Sequence, residues 1–313
     1  MVAAGSRTLP VSMVPATELR ALADRKAQQG LAVSVCLPAR NEAATVGGIV
    51  AAVRDELVAG GLVDEIVVLD DGSEDTTADT ARAAGAVVAA VADVLPDLPP
   101  GEGKGNALWK SLYVASGDLI CFLDADVRNF EAHFVIRLLA PLLEDPAIGF
   151  VKGHYERPLD GRPRGGGRVT ELMARPLLNA LFPPLAGIRQ PLGGEYAARR
   201  ELLEVLPFVE GWGVELGLLI DVADRFGVAA IAEADLGIRE HRNRDLDDLV
   251  PQAMAVLLTG LRRAGAAPVD VASTLVRVDE SGASTLVPVP VRERPPIVTV
   301  AAYQAKFGRE LSA

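Results

Sequence analysis

The chain has 313 residues, of which 50% are hydrophobic and 23% charged, and it carries a formal net charge of −11. That composition belongs to an ordered globular protein, and so negative a field repels phosphate backbones, which argues against a nucleic-acid-binding surface. No basic N-terminal segment leads into an apolar run and cleavage site, and no uncharged apolar stretch reaches the roughly 18 residues of a membrane helix, so a soluble, cytoplasmic protein is expected.

Residues 1–30 read as an N-terminal extension, and a regular pattern begins at Leu31. An apolar run over Ala32–Leu37 has strand character, the polar break Pro38–Glu42 follows, and a helical pattern spans Thr45–Leu57. The unit recurs as strand Glu65–Leu69 with helix Thr76–Ala84, then strand Ala86–Ala90 with helix Asn106–Ala115, then strand Leu119–Leu123 with helix Phe134–Leu143 and strand Ile148–Gly153. Short buried strands alternating with helices predict an α/β fold with a mostly parallel sheet covered on both faces, its ligands at the carboxyl ends of the strands. Cys36 and Cys121 sit inside two of these strands and are expected to be buried free thiols, as suits a reducing compartment.

The Pro/Gly/Arg-rich stretch Arg157–Arg168 marks a boundary, placed near residue 155. The spacing then predicts helix Val169–Leu181, a turn at Gly193-Gly194, helices Arg200–Leu206 and Val214–Phe226, strand Val228–Ala234 and helix Leu246–Arg262. Two fused halves result, 31–155 and 156–265. Beyond them 266–313, with Pro288, Pro290, Pro295 and Pro296, reads as an extended C-terminal arm or short strands, assigned to dimer contacts.

Asp124-Ala125-Asp126 directly follows an apolar strand, so two hard carboxylate donors project from its carboxyl end while Ala125 turns away. Such donors hold Mg²⁺ or Mn²⁺, and a cation of this kind neutralises the bridging phosphates of a nucleotide diphosphate. Asp70-Asp71-Gly72-Ser73 also follows a strand; it reads equally as part of a ligand site or as a turn whose Ser73 or Asp75 caps the next helix. In Pro38–Glu42 the loop-forming residues are ordinary, yet Glu42 suits a ribose or base. Gly101–Gly105 lacks P-loop spacing; what remains is a glycine stretch presenting Lys104 near a helix N-terminus, where it reaches a diphosphate or stands as a solvated linker lysine.

Gly165-Gly166-Gly167-Arg168-Val169-Thr170 is a second anion site: glycines permit close backbone approach, a helix start offers free amides, and Arg168 adds a planar fork. His241 in His241-Arg242-Asn243-Arg244 is a candidate metal ligand or an exposed bystander. Glu215 opens a helix, where its plain role is to complement the helix dipole.

Together Pro38–Glu42, Asp70–Ser73, Lys104, Asp124–Asp126, Gly165–Thr170, Gln190-Pro191-Leu192, Glu195-Tyr196, Glu215 and His241–Arg244 resemble the glucosyl-3-phosphoglycerate synthases, over about residues 32–250. The resemblance implies a glycosyltransferase-A fold, in which 31–155 binds the nucleotide sugar and 156–265 the acceptor. It also implies metal-dependent, retaining transfer of glucose from UDP-glucose to 3-phosphoglycerate, a step toward glucosylglycerate, by a homodimer. Carried over, Pro38, Arg40, Glu42 and Asp71 surround the uridine, Asp124 faces the ribose with Ala125 beside it, and Leu192 joins the donor site. Lys104 approaches the diphosphate and sugar, and Glu215 the glucose hydroxyls. Asp126 and His241 bind Mg²⁺ or Mn²⁺, and Gly167, Arg168, Val169, Thr170 and Asn243 clamp the acceptor's phosphate and carboxylate. Two positions depart from the family's common pattern, which has Ser where this chain has Ala125 and Asp71. Related mannosyl-3-phosphoglycerate synthases use GDP-mannose, the alternative donor. A nucleotidyltransferase is disfavoured, because Pro38–Glu42 stands where its glycine-rich loop belongs.

Overall fold

The computed structural model describes residues 16–157, 166–240, 245–266 and 273–309. After helix α1 (Ala16–Gln29) come β1 (Val33–Ala39), α2 (Val46–Ala52, prolonged by a π-turn over Val53–Val58), β2 (Glu65–Asp70), α3 (Thr77–Ala84) and β3 (Val87–Ala90). Then follow α4 (Gly103–Val114), β4 (Leu119–Phe122), α5 (His133–Glu144) and β5 (Phe150–Glu156). A π-turn over Thr170–Ala174 runs into α6 (Arg175–Leu181), succeeded by β6 (Tyr196–Arg199), α7 (Arg200–Leu203), β7 (Phe208–Val209), α8 (Val214–Phe226), β8 (Ile231–Ile238) and α9 (Leu246–Arg263). The chain ends in hairpin β9 (Thr274–Val278) and β10 (Ser284–Pro288), strand β11 (Glu293–Arg294) and helix α10 (Ala301–Phe307).

One seven-stranded sheet runs in the order β3-β2-β1-β4-β6-β5-β8. β1 pairs in parallel with β2 and β4, as β2 does with β3 and β5 with β8, while β6 lies antiparallel between β4 and β5. The mostly parallel sheet expected from the sequence is therefore present. Its central strands β1, β2 and β4 are nearly continuous apolar runs because both faces are covered there. The two-residue period sends Val33, Val35 and Leu37 into one core cluster and Cys36, with Val67 and Phe122, into the other. Both cysteines are free and buried, and burial pushes the Cys36 thiol up to about 12, so it acts as a small hydrophobe. Among the described residues no helix is long and apolar enough to cross a membrane.

Strand order reverses at β1, whose neighbours β2 and β4 both follow it in sequence, so a crevice opens at the carboxyl ends of β1 and β4. The expected boundary at residue 155 falls inside β5, and β6 and β8 of the second half complete the same sheet. Of the two readings of the tail, extended arm or short strands, the strands β9, β10 and β11 are present, and helix α10 is added to them. Ile297, Val298 and Tyr303 are buried, and Trp109 Nε1 donates to Pro295 O at 2.8 Å.

Arg200 anchors this closure. Its buried guanidinium donates to Gly117 O at 2.5 Å, Leu112 O at 2.7 Å, Ala115 O at 2.8 Å and Tyr303 Oη at 3.2 Å, and Tyr303 Oη in turn donates to Glu204 at 2.9 Å. Arg200→Ala strands those carbonyls without donors, so urea unfolding is expected to show a loss of about 3–5 kcal/mol, the cost of breaking a buried charged network; a loss below about 1 kcal/mol contradicts the assignment.

Candidate active site

The loops after β1 and β2 are laced together. Asn41 takes the left-handed conformation at φ 57°; its N–H donates to Ser73 Oγ at 3.0 Å and its side-chain oxygen accepts from Glu74 N at 2.8 Å. Glu42 N donates to Thr77 Oγ1 at 2.8 Å, and Asp71 N to Ala39 O at 2.9 Å. The N-cap position of α3 is Thr76, without a side-chain cap; Asp75, one residue earlier, accepts from Thr77 N at 2.9 Å, while Ser73 serves the inter-loop lacing. Burial raises the Asp71 carboxyl above its ordinary range.

Beyond β4, Asp124 lies between two cations. Lys104 Nζ bonds its Oδ1, and Arg239 Nη2 meets its Oδ2 at 2.7 Å. The same Arg239 nitrogen reaches Asp126 Oδ1 at 2.9 Å, and Arg239 Nε stands 2.7 Å from Glu195 Oε1. Lys104 also pairs with Glu215 Oε1 at 2.6 Å, so charges alternate through the cluster. Burial opposes the charge on Lys104, but Asp124 and Glu215 outweigh it and hold the ammonium well above its usual pKa. Burial likewise opposes ionisation of Asp124, and Lys104 and Arg239 outweigh it, so that carboxyl stays ionised far below its normal range. For Glu195, wholly buried, burial wins and pushes the carboxyl up against the pull of Arg239.

Lys104, Asp124, Asp126, Glu215 and Arg239 line a cavity of about 620 Å³. Its lining includes Pro38, Arg40, Glu42, Asp71, Lys104, Asp124, Ala125 and Asp126 from the first part of the chain and Gly167, Arg168, Val169, Thr170, Leu192, Trp212, Glu215 and Arg239 from the second. Gly167 has φ 76°, which only glycine adopts freely, and its carbonyl accepts from Glu171 N at 3.0 Å as the helix begins. Every site residue expected from the sequence that lies among the described residues borders this one cavity. His241 and Asn243 lie outside the described residues.

A mostly parallel α/β sheet with an acid pair and an ion-paired lysine at its switch point, and a glycine-arginine helix start bordering the same cavity, defines a glycosyltransferase of the glycosyltransferase-A fold. Residues 34–188 match Glycosyl transferase family 2. The chain is 47% identical over 279 residues to the glucosyl-3-phosphoglycerate synthase of Mycolicibacterium smegmatis, covering 88% of this chain and 91% of that one. It is 41% identical over 305 residues to the Petrotoga mobilis protein of the same name, covering 93% and 94%. The structure superposes, with TM-score 0.82 and 44% identity over 93% of this chain and 96% of the other, on a crystal structure of the Mycobacterium tuberculosis glucosyl-3-phosphoglycerate synthase in complex with Mn²⁺, UDP-glucose and phosphoglyceric acid. The chain belongs to the glucosyl-3-phosphoglycerate synthase family.

Sequence reasoning passed over Arg239, 2% exposed, and Lys152, fully buried in β5. Lys152 Nζ donates to Gly193 O and lies 4.6 Å over the Tyr196 ring, fixing the turn beside Leu192. Burial lowers its pKa to about 8, partly offset by Glu215, while Lys104 adds to the lowering and Glu195 and Asp124 oppose it. An unfolded lysine keeps its proton to about 10.4, so between roughly 8 and 10.4 the unfolded chain binds more protons and stability rises with pH. The stability of the wild type minus that of Lys152→Met, from urea titrations, is expected to climb across that window by up to about 3 kcal/mol; a flat difference contradicts the burial of a charged lysine.

Proposed function

We propose that this chain transfers glucose from UDP-glucose to 3-phosphoglycerate, with retention at the anomeric carbon, to give glucosyl-3-phosphoglycerate. The observation that carries this reading is a single cavity bordered both by Lys104, fixed between Asp124 and Glu215, and by the Gly167–Thr170 helix start. Residues 31–155 supply most of the donor side, joined by Leu192 and Glu215 from the second half. Pro38, Arg40, Glu42 and Asp71 would hold the uridine, Asp124 the ribose, and Ala125 and Leu192 would border the sugar nucleotide, while Glu215 would orient the glucose hydroxyls. On the acceptor side, 156–265, the amides of Gly167 and Val169 with Arg168, Thr170 and Asn243 would grip the phosphate and carboxylate of 3-phosphoglycerate.

The donor chemistry at Asp126 fits a divalent ion. Its carboxylate is a hard oxygen ligand at the cavity wall with 28% of the side chain exposed. Among the described residues no group of three His, Cys, Asp or Glu side chains could hold a metal. A site on Asp126 would therefore be completed by His241 and by nucleotide phosphate oxygens, the usual arrangement for Mg²⁺ or Mn²⁺ in a phosphate site. When bound, the ion neutralises the bridging phosphates.

Lys104 places its ammonium where charge develops on the leaving diphosphate, and its two carboxylate partners keep it charged and immobile. Arg168 and the amide cradle hold the acceptor on the face from which the nucleotide leaves. Its hydroxyl proton then passes to the departing phosphate oxygen, and the new glycosidic bond forms on the side from which the old one broke. The reading also accounts for a chain of net charge −11 that binds anions: local cations and amides offset the repulsive bulk field. A cytoplasmic setting suits two free cysteines and charged substrates. The proposed homodimer is supported by the exposed apolar face of the β9–β10 hairpin, with Val276, Val278 and Leu286.

Incubation of the purified protein with 3-phosphoglycerate, Mn²⁺ or Mg²⁺ and either UDP-glucose or GDP-mannose is expected to give product from UDP-glucose. Turnover with GDP-mannose alone, or with neither, overturns the assignment. In the same assay Arg168→Ala is expected to lower kcat/KM for the acceptor by about 2–4 kcal/mol, the scale of a lost charged hydrogen-bond partner, with the UDP-glucose KM little changed.

A further inference from the structure

Among the buried charges that the reaction does not use, Arg294 of β11 has the most specific surroundings. β11 pairs antiparallel with β7, Arg294 opposite Phe208, and Glu210 N donates to Arg292 O at 2.8 Å. The Arg294 guanidinium donates through Nη1 to Pro99 O at 2.8 Å and through Nε to Asn106 Oδ1 at 2.9 Å, and Nε stands 3.0 Å from Glu210 Oε1. It is 5% exposed and lies over the Trp109 ring, 5.4 Å from the centroid.

These partners fall on both sides of Lys104. Pro99 lies before it and Asn106 after it, so one guanidinium fixes the loop entering α4 and the first turn of α4 together. Its third partner, Glu210, precedes the Gly211–Gly213 turn that starts α8 and delivers Glu215 to Lys104. Backbone contacts reinforce the join. A Cβ at Gly103 would lie 3.1 Å from Gly211 Cα, and one at Gly105 would collide with Val209 O. At Gly101 a Cβ would collide with the Arg294 guanidinium itself and lie 2.5 Å from Asn106 Oδ1 and Glu210 Oε1. Three glycines thus allow two segments about a hundred residues apart to meet, and Arg294 rivets them.

We propose that Arg294 is a positioning residue for the donor half of the reaction: from the C-terminal strand it locks the loop carrying Lys104 to the turn carrying Glu215. The inference rests on the roles given to Lys104 and Glu215 under the proposed function. A planar fork can serve a carbonyl, an amide oxygen and a carboxylate at once, whereas a lysine ammonium is a point charge on a flexible stem and cannot hold all of them in one plane. None of its contacts reaches Gly167–Thr170, so the lock acts on the donor and not on the acceptor.

The test is steady-state kinetics on Arg294→Lys, which retains the charge, with thermal unfolding measured alongside. The expected result is a UDP-glucose KM raised about tenfold, the scale of one charged hydrogen bond, with a 3-phosphoglycerate KM within about twofold of wild type. Gly101→Ala, which keeps Arg294 but displaces its guanidinium, is expected to move the donor KM in the same direction and also covers the case in which Arg294→Lys fails to fold. A lowered Tm with both KM values unchanged, or both KM values rising together, overturns the inference and leaves Arg294 a fold element only. Wild-type turnover with UDP-glucose in the same assay tests the proposed function separately, so failure of one is distinguishable from failure of the other.

Discussion

Everything in the site is arranged around a partly buried carboxylate, that of Asp124, gripped by Lys104 on one oxygen and Arg239 on the other. A charge removed from water costs several kcal/mol unless it is paired and hydrogen-bonded, so none of these groups can be placed alone. Arg239 therefore also takes Asp126 and Glu195, and Lys104 also takes Glu215. The result is one electrostatic unit assembled from the first turn of α4, the end of β4, the turn before β6, the start of α8 and the end of β8. Gly194 belongs to it as well, because a Cβ there would collide with the Asp124 carboxylate.

The unit reconciles opposing demands. In a protein of such negative net charge an anion is attracted only where cations are locally concentrated, as Lys104 and Arg239 are beside this cavity. Those cations are fixed in place by acids that neutralise them at rest. Donors held in this way are already oriented, and such preorganisation leaves little reorganisation to occur when an anion binds. Distant elements serve the same end: β6 inserts between β4 and β5 to bring in Glu195, and the C-terminal segment closes over α4, whose first turn carries Lys104.

Much of this was legible in the sequence. The strand over 65–70 and the helix over 214–226 lie where their apolar patterns place them, as does the emergence of Asp124 and Asp126 from a buried strand. What escaped reading depends on long-range pairing. Tyr196-Ala-Ala-Arg is short and lacks β-branched residues, so β6 carries no strand signal of its own and exists because β4 and β5 flank it. Arg239 after an apolar run reads as a solvated end of strand, and only the carboxylates converging from elsewhere bury it. Lys152 breaks an apolar run as an outward-facing lysine would, yet both faces of β5 are covered. Helix α10, at seven residues, is too brief for its period to register.

The most direct test of the account is whether this cluster is the seat of a cation-dependent nucleotide site. Calorimetric titration of UDP-glucose into the protein, with and without Mn²⁺, is predicted to show binding tightened at least about tenfold by the ion, and the gain to vanish in Asp126→Asn. Equal affinity with and without Mn²⁺, or a gain that survives in Asp126→Asn, would contradict it.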